Sequence, residues 1–526
     1  MADADNNRET ELKLAARPED LTALRSAPAL SSTTRATTSA LESVYYDTPD
    51  QRLARRLVSL RVRKKGKTFV QTLKGPPFAD GGLGRAEWEC PVPGPAVDLS
   101  LITDAAALDL LGSSGAAELQ PMFTTAVQRT IRVLNGGDSI IEVAFDKGEI
   151  RTPDGAALPL CEVELELKEG ESKALFDLAL ELAKAAPLRV ESRTKAARGY
   201  ALAAGSMDKP VKADKIALTP EVTVEGALCR IVGGCLQHFS ANEAASLKGE
   251  DPEGIHQMRV ALRRLRSALA LFRPFVPAEQ YDWMKGEVKW LGGYLGPARD
   301  WDVFLAELLA PVHEGFERTN GREAPLLAGL GALEAAARAR RERAYDGARE
   351  AILSPRMTEF QLRLGAWLEE KGWRAQPVNE QSARLFQPVG QLADQLLAKR
   401  HKRARKAGRG FAGLSVEDRH QLRIVLKKLR YAAEFFRSLY EDKPARRYIQ
   451  QLAAFQDMLG HLNDVATATR LLHDLHDGGS RAGPGERRAA GLVIGWHARG
   501  VADLESHLND QWEGFADAKP FWSKPA

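Results

Sequence analysis

The sequence predicts a multidomain α+β protein, a strand-rich N-terminal half followed by an all-α C-terminal half. Three observations predict it. Up to about Gly205, apolar and polar side chains alternate with period two in one segment after another, the repeat of a half-buried strand. A polar stretch, "SMDKPVKADKIALTPE", then carries two prolines and no clean period, and reads as a linker over 204–219. Beyond it, stretches such as "LLAGLGALEAAARARRERAYDGAREAIL" keep helical spacing without strand alternation.

The strands can be taken in order. "SLRVRKKGKTFVQTLKG" alternates on both sides of Lys65-Gly66, a hairpin signal. "RAEWECPV", "TIRVLNGGDSIIEVAFDKGEI" and "PLCEVELELKEG" read similarly, with turns expected at Gly136-Gly137 and near Gly148. Helices are expected around 18–26 and 103–112, and at "SKALFDLALELAKAA", with Ser172 as N-cap.

Composition narrows the class. Of 526 residues, 44% are hydrophobic and 27% charged, the balance of an ordinary folded protein. No uncharged apolar run reaches the roughly 18 residues of a membrane span. "MADADNNRET" lacks a basic segment followed by an apolar one, so a cytoplasmic protein is expected. The four cysteines, Cys90, Cys161, Cys229 and Cys235, form no C-x-x-C pair and read as free thiols. The net charge of +4 hides a split: residues 1–205 carry 26 Lys+Arg against 29 Asp+Glu, the remainder 48 against 41. A basic half is compatible with a polyanionic partner.

In the N-terminal half the charges recur at alternate positions. "ETELKL" sets Glu9, Glu11 and Lys13 on one strand face. Arg61 and Arg63 alternate with Leu60 and Val62, Glu87 and Glu89 flank Trp88, and Glu162, Glu164 and Glu166 alternate with apolar residues. Closed into a barrel, such faces would line a lumen. Carboxylates there suit a hard divalent cation, and Arg and Lys suit phosphate oxygens.

"ETELKL" resembles the E-x-E-x-K signature of the CYTH superfamily, named for class IV adenylate cyclase and thiamine triphosphatase. "YYDTPDQRL", "LRVRKKG", "QTLKG", "RAEWE", "CEVELELKEG" and "SRTKAARGY" extend the resemblance over residues 5–203. It implies an eight-stranded antiparallel β-barrel tunnel with flanking helices, acting on triphosphates with Mg²⁺ or Mn²⁺. By this resemblance Glu9, Glu11, Asp146, Glu162 and Glu164 are expected at the metal. Lys13, Arg61, Arg63, Lys74, Arg129 and Lys195 are expected on the triphosphate, with Arg132 a weaker candidate and Glu166 beyond the site. Glu9, Glu11, Lys13, Lys74 and Lys195 are the expected catalytic set, in a metal-assisted attack of water on a terminal phosphorus. No general base is identifiable.

The C-terminal half contains a repeat. "HQMRVALRRLRSALALF" at His256 aligns with "HQLRIVLKKLRYAAEFF" at His420, and "YLGPARDWDV" aligns with "MLGHLNDVAT", all at an offset of 164. His256, Arg259, Arg263 and Arg266 fall on one helical face, as do His420, Arg423, Lys427 and Arg430. Each column is about 15 Å long at 1.5 Å per residue. No acid interrupts 256–273 or 421–433, where an exposed helix would ordinarily intersperse Glu. Such a face suits a polyanion, and "AKRHKRARKAG" (398–408) adds a further basic run. No helix-turn-helix or zinc-finger pattern points to nucleic acid. These blocks resemble the CHAD domain, the conserved histidine α-helical domain, over 220–515. That resemblance implies two pseudo-symmetric four-helix bundles whose basic helices bind long-chain inorganic polyphosphate.

The expectation is therefore hydrolysis of inorganic tripolyphosphate by the barrel, with the helical domain localising the enzyme on polyphosphate, including polyphosphate granules. The enzymatic rivals are an adenylate cyclase and a thiamine triphosphatase. The non-enzymatic rival is a polyphosphate-granule binding protein.

Overall fold

The computed structural model describes residues 7–78, 82–112, 115, 118–318, 324–477 and 483–522; residues 5 and 6, at the expected start of the first domain, lie outside them. The chain forms two compact units. The first comprises the residues up to Val211 together with Ser240–Lys248 and Ala351–Ala375, and the second comprises Lys212–Phe239, Gly249–Glu350 and the residues from Gln376 onward. Residues 204–219 form no helix or strand.

The first unit is built on β1 (Arg8–Ala15), β2 (Thr37–Asp47), β3 (Ser59–Lys65), β4 (Thr68–Pro77), β5 (Gly84–Val92), β6 (Gln120–Gly136), β7 (Ser139–Arg151), β8 (Ala157–Glu169) and the two-residue β9 (Arg189–Val190). Their order is β5-β4-β3-β2-β6-β7-β8-β1, and β1 pairs back onto β5, which closes an eight-stranded antiparallel barrel. Closure removes the free edges that such long strands would otherwise expose. β9 adds to the end of β1.

Many small barrels fill their interior with packed side chains; this one keeps a charged cavity instead. Its apolar residues point outward: Leu12, Leu14, Val143, Phe145, Val163 and Leu165 form one core with Leu175, Leu178 and Leu182 of the helix Lys173–Ala185. Leu362 of the helix Pro355–Glu369 joins the same core, and Gly365 of that helix lets it approach Phe176. Amphipathic helices thus cover the outer face, while the inward positions are mostly charged around the cavity and apolar where Leu41, Tyr45, Phe123, Val127, Ile150 and Leu160 pack with Ala196.

Two local expectations are corrected. Gly148 is not at a turn; it lies within β7 opposite Val127, where a Cβ would sit 2.0 Å from the Ala126 carbonyl oxygen. Glycine there marks close backbone approach, and the turn falls at Gly155, with φ +93°. Ser172 does precede the helix Lys173–Ala185, but its backbone is helical and its side chain makes no capping hydrogen bond. The hairpins at Gly66 and Gly137 are present, both glycines having positive φ. Short helices form at Leu21–Arg25 and Ala105–Leu111. All four cysteines are free thiols.

The second unit is helical. Its two basic helices are Glu253–Phe272 and Val416–Phe436. Each leads through one 3₁₀ turn, Arg273–Phe275 or Arg437–Leu439, into a long helix, Ala278–Val303 or Asp442–Asp477. Phe272 and Phe436, like Ala278 and Asp442, are 164 residues apart, so the sequence repeat is a structural one. The copies diverge at Pro297, inside the first long helix, which passes into a π-helical stretch at Phe304–Leu309. No helix among the described residues is long and apolar enough to cross a membrane.

Candidate functional site

The inward positions of the barrel enclose a polar cavity of about 290 Å³. β1 contributes Glu9, Glu11 and Lys13, β3 contributes Arg61 and Arg63, β4 contributes Lys74, β6 contributes Arg129 and β8 contributes Glu164 and Glu166. Strand register sets the neighbours: Glu9 faces Arg85, Lys13 faces Glu164, Lys74 faces Glu87, and Arg129 faces Asp146.

Most of these charges are paired. Lys74 Nζ donates to Glu9 Oε1 at 2.6 Å and lies 3.1 Å from Glu87 Oε1. Arg129 grips Asp146 with a two-pronged contact, Nε to Oδ1 at 2.8 Å and Nη2 to Oδ2 at 2.6 Å, and also pairs with Glu164. Lys13 pairs with Glu11. Burial would raise the Glu9 carboxyl, but Lys74 and Lys13 hold it down at about 2. Glu11 goes the other way: burial and the nearby Glu164 push it up to about 7 against the pull of Lys13.

Arg63 is the exception. Among the described residues it forms no salt bridge, and its Nε donates only to Ser43 Oγ at 3.3 Å. Burial first, then the like charges of Arg61 and Arg129, lower its guanidinium to about 10. A half-buried cation crowded by cations favours an anionic ligand.

Asp146, Glu162 and Glu164 form a buried triad whose oxygens lie within 4.8 Å of one another. An all-oxygen donor set with three carboxylates suits a hard divalent cation such as Mg²⁺ or Mn²⁺. Here the triad surrounds the ammonium of Lys195, which is 2.7 Å from Asp146 Oδ2 and 2.6 Å from Glu164 Oε1 and also pairs with Glu162. A cation entering the triad would take the position of that ammonium. Glu9 and Glu11 are not members of that triad; Lys74 and Lys13 pair with them, and Glu9 Oε2 accepts no hydrogen bond.

Lys195 is placed by its helix, Lys195–Ala203. Thr194 caps it by accepting a hydrogen bond from the Ala197 amide, and Gly199 lets it press onto Phe123, where a Cβ would come within 2.1 Å of the ring. One turn on, Arg198 pairs with Glu162.

Charge alternation overlooked several residues in and beside the cavity. Arg85 lines the cavity 3.6 Å from Glu9, and the period-two rule that groups Glu87 with Glu89 would have included it. Arg198 was legible as one turn beyond Lys195. Tyr45 carries no charge and gave no such signal. Arg132 faces outward and donates to the Arg25 carbonyl. Glu166 lines the cavity paired with Lys168. Asp47 of "YYDTP" is structural, accepting from the amides of Thr48, Leu53 and Ala54.

In the second unit the two basic helices pack together, and Arg263 Nε donates to Tyr431 Oη at 3.2 Å across them. Arg259, Arg263 and Arg266 line one hollow of about 220 Å³ with Lys289. Arg259 lies 3.9 Å from Asp300, and Gly296 provides its space, since a Cβ there would meet Arg259 Nη1 at 2.8 Å. His256 Nδ1 and the Nε atoms of Arg259, Arg423 and Arg430 are buried without hydrogen-bond partners. Burial and then Arg423, Arg263 and Arg430 push Lys427 down to about 7. Burial and Arg299 push His256 down to about 4. His420 sits at the exposed start of its column.

The CYTH domain profile matches residues 7–200, and the CHAD domain profile matches residues 230–473. A protein of Haemophilus influenzae named inorganic triphosphatase is 34% identical over 165 residues, which is 31% of this chain and 46% of that protein. The match thus spans about half the length of that relative. An uncharacterized protein of Mycobacterium tuberculosis is 27% identical over 460 residues, 83% of this chain and 82% of that one. The crystal structure of the CHAD domain from the plant Ricinus communis is similar with a TM-score of 0.50 and 33% identity, covering 59% of this chain and 97% of that one. The chain is therefore a CYTH domain followed by a CHAD domain.

Proposed function

We propose that the barrel hydrolyses inorganic tripolyphosphate with Mg²⁺ or Mn²⁺, and that the paired basic helices bind long-chain inorganic polyphosphate. The observation that carries the first half is Arg63: a half-buried guanidinium without a carboxylate partner, in a cavity that Glu164 of the carboxylate triad also lines. The name of the Haemophilus relative supports the same reading.

Arg61, Arg63, Lys74 and Arg129 would hold the phosphoryl oxygens in line and stabilise the charge that grows as the bridging P–O bond breaks. Asp146, Glu162 and Glu164 would hold the divalent cation, which supplies Lewis-acid charge at a phosphoryl oxygen. Water adds to the terminal phosphorus, and orthophosphate and pyrophosphate leave. Glu11, titrating near neutrality, is within the same cavity to exchange a proton.

An inorganic chain is favoured over a nucleotide or thiamine ester. Tyr45 is the aromatic residue among those lining the cavity, it is 2% exposed, and its ring is stacked on Phe123 at 4.6 Å. It offers no free face to a base. For the helical unit, the support is two acid-free columns brought side by side with unpaired donors. Phosphate release from tripolyphosphate, ATP and thiamine triphosphate across a Mg²⁺ and Mn²⁺ titration tests the first half. Release fastest from tripolyphosphate is expected, and cyclic AMP as the main product from ATP would overturn the reading. Polyphosphate binding that falls with salt tests the second.

A further inference from the structure

The outer wall of the barrel carries a second concentration of cations that the tunnel chemistry does not use. It lies where the helix Leu21–Arg25, the loop before β2 and the outward side of β6 meet. Arg25, Arg35 and Arg132 line this depression with Ser31 and Thr34, and no carboxylate lines it. Among the described residues none of the three arginines forms a salt bridge, whereas Arg17, Arg52, Arg129, Arg151 and Arg198 on the same unit all do.

Two of the three are held in place. Arg132 Nη1 donates to the Arg25 carbonyl oxygen at 3.0 Å, which ties the strand to the helix end. The Arg25 guanidinium carbon stands 5.5 Å from the centre of the Phe145 ring. Each is half-buried, and the Nε of each is buried with no hydrogen-bond partner. Arg35 is exposed at the rim. Thr34 Oγ1 already accepts from the Val133 amide, so its hydroxyl proton is directed elsewhere.

Neighbouring guanidiniums without a counter-ion repel one another and leave N–H donors unsatisfied. A tetrahedral oxyanion relieves both, because its oxygens accept from several forks at once. We propose that Arg25, Arg35 and Arg132 form an external phosphate-binding site, separate from the tunnel. The ligand is a phosphoryl oxyanion, either free orthophosphate or a segment of a polyphosphate chain. The site is built from the outer barrel surface alone, so it stands whether or not the tunnel hydrolyses tripolyphosphate.

The test is arginine labelling of the full chain with a phenylglyoxal reagent, mapped by mass spectrometry. Labelling is compared in orthophosphate, in long-chain polyphosphate and in chloride of equal ionic strength. Loss of labelling at Arg25, Arg35 and Arg132 is expected in at least one phosphate arm. Protection by orthophosphate assigns the site to free phosphate, and protection by polyphosphate alone assigns it to a chain segment. Arg35→Ser, at an exposed position, should leave the fold intact and weaken protection of Arg25 and Arg132 by about tenfold, the loss typical of one charge-assisted hydrogen bond. Equal labelling in all three solutions would overturn the proposal, as would protection that Arg35→Ser leaves unchanged.

Discussion

Binding of long-chain polyphosphate to the basic helices should be coupled to proton uptake at Lys427. This ammonium is faced by Arg423 and Arg430 on its own helix, Arg263 on the partner helix and Asp464 on the long helix behind. With burial, the three cations depress it from 10.5 to about 7, so at neutral pH the free protein carries it half-charged. A bound phosphate chain would neutralise the arginines and restore the ordinary value. The protonated form then binds better, so the contribution is complete below pH 7 and is lost as pH rises toward 10.5. For one proton with those two values, linkage gives about a hundredfold loss of affinity between pH 6 and pH 9. Internal phosphates of a long chain are fully ionised over this range, and His256, depressed to about 4 in the free protein, adds only about fourfold near pH 6 when binding returns it to its ordinary value. The assay is calorimetric titration of the full chain with polyphosphate at fixed ionic strength, in buffers of different ionisation enthalpy. Lys427→Arg, which matches the residue at Arg263, should bind with nearly flat pH dependence. Wild-type affinity that is constant over pH 6–9, or a slope that Lys427→Arg retains, would refute the reasoning.

Four further outcomes are expected. Arg63→Gln should lower kcat/KM for tripolyphosphate by about ten- to a hundredfold, the range for a charge-assisted contact to a developing anion, without lowering the melting temperature, because a crowded cation is removed. Glu162→Gln should abolish Mn²⁺ binding by calorimetry and destabilise the barrel by about 3 kcal/mol or more, since Lys195 and Arg198 lose a fully buried counter-ion. Gly199→Ala should cost about 1–3 kcal/mol in denaturant unfolding by overpacking Phe123, and should weaken Mn²⁺ binding by shifting Lys195 with its helix; unchanged metal affinity would separate the helix from the site. Glu243, raised by burial to about 7 beside Arg189 and Gln361, contributes stability that is present below pH 4.5 and lost as pH rises through 7. Glu243→Gln should therefore raise the melting temperature more at pH 8 than at pH 5.

The strands and their inward charges were legible because two simple periods report them: Glu9, Glu11 and Lys13 alternate in sequence and line one cavity in space. The coincidence of Asp146, Glu162 and Glu164 required register as well, which local pattern does not specify. Gly148 misled because a glycine at a turn and a glycine under close backbone contact look alike in sequence. The role of the helix Pro355–Glu369 was also hidden. Its amphipathic pattern announces an apolar face, but not that Leu362 joins the core on the barrel's outer face. In the basic helices the repeat offset was plain, whereas the depressed Lys427 depends on how closely the two copies approach.

The charged lining of the barrel has a consequence for how such a protein can change over time. Its largest apolar core lies outside the strands, and its charges line the cavity within. Substitutions at charged lining positions that hold no buried ion pair, such as Arg63, change the lining without opening voids in the outer core, so new substrates can be sampled while the scaffold survives. In folds where the catalytic cleft and the core share residues, each such trial endangers both at once. Here most of the two sets are separated by the thickness of one strand, and they meet only where Leu41, Tyr45 and Ala196 belong to both.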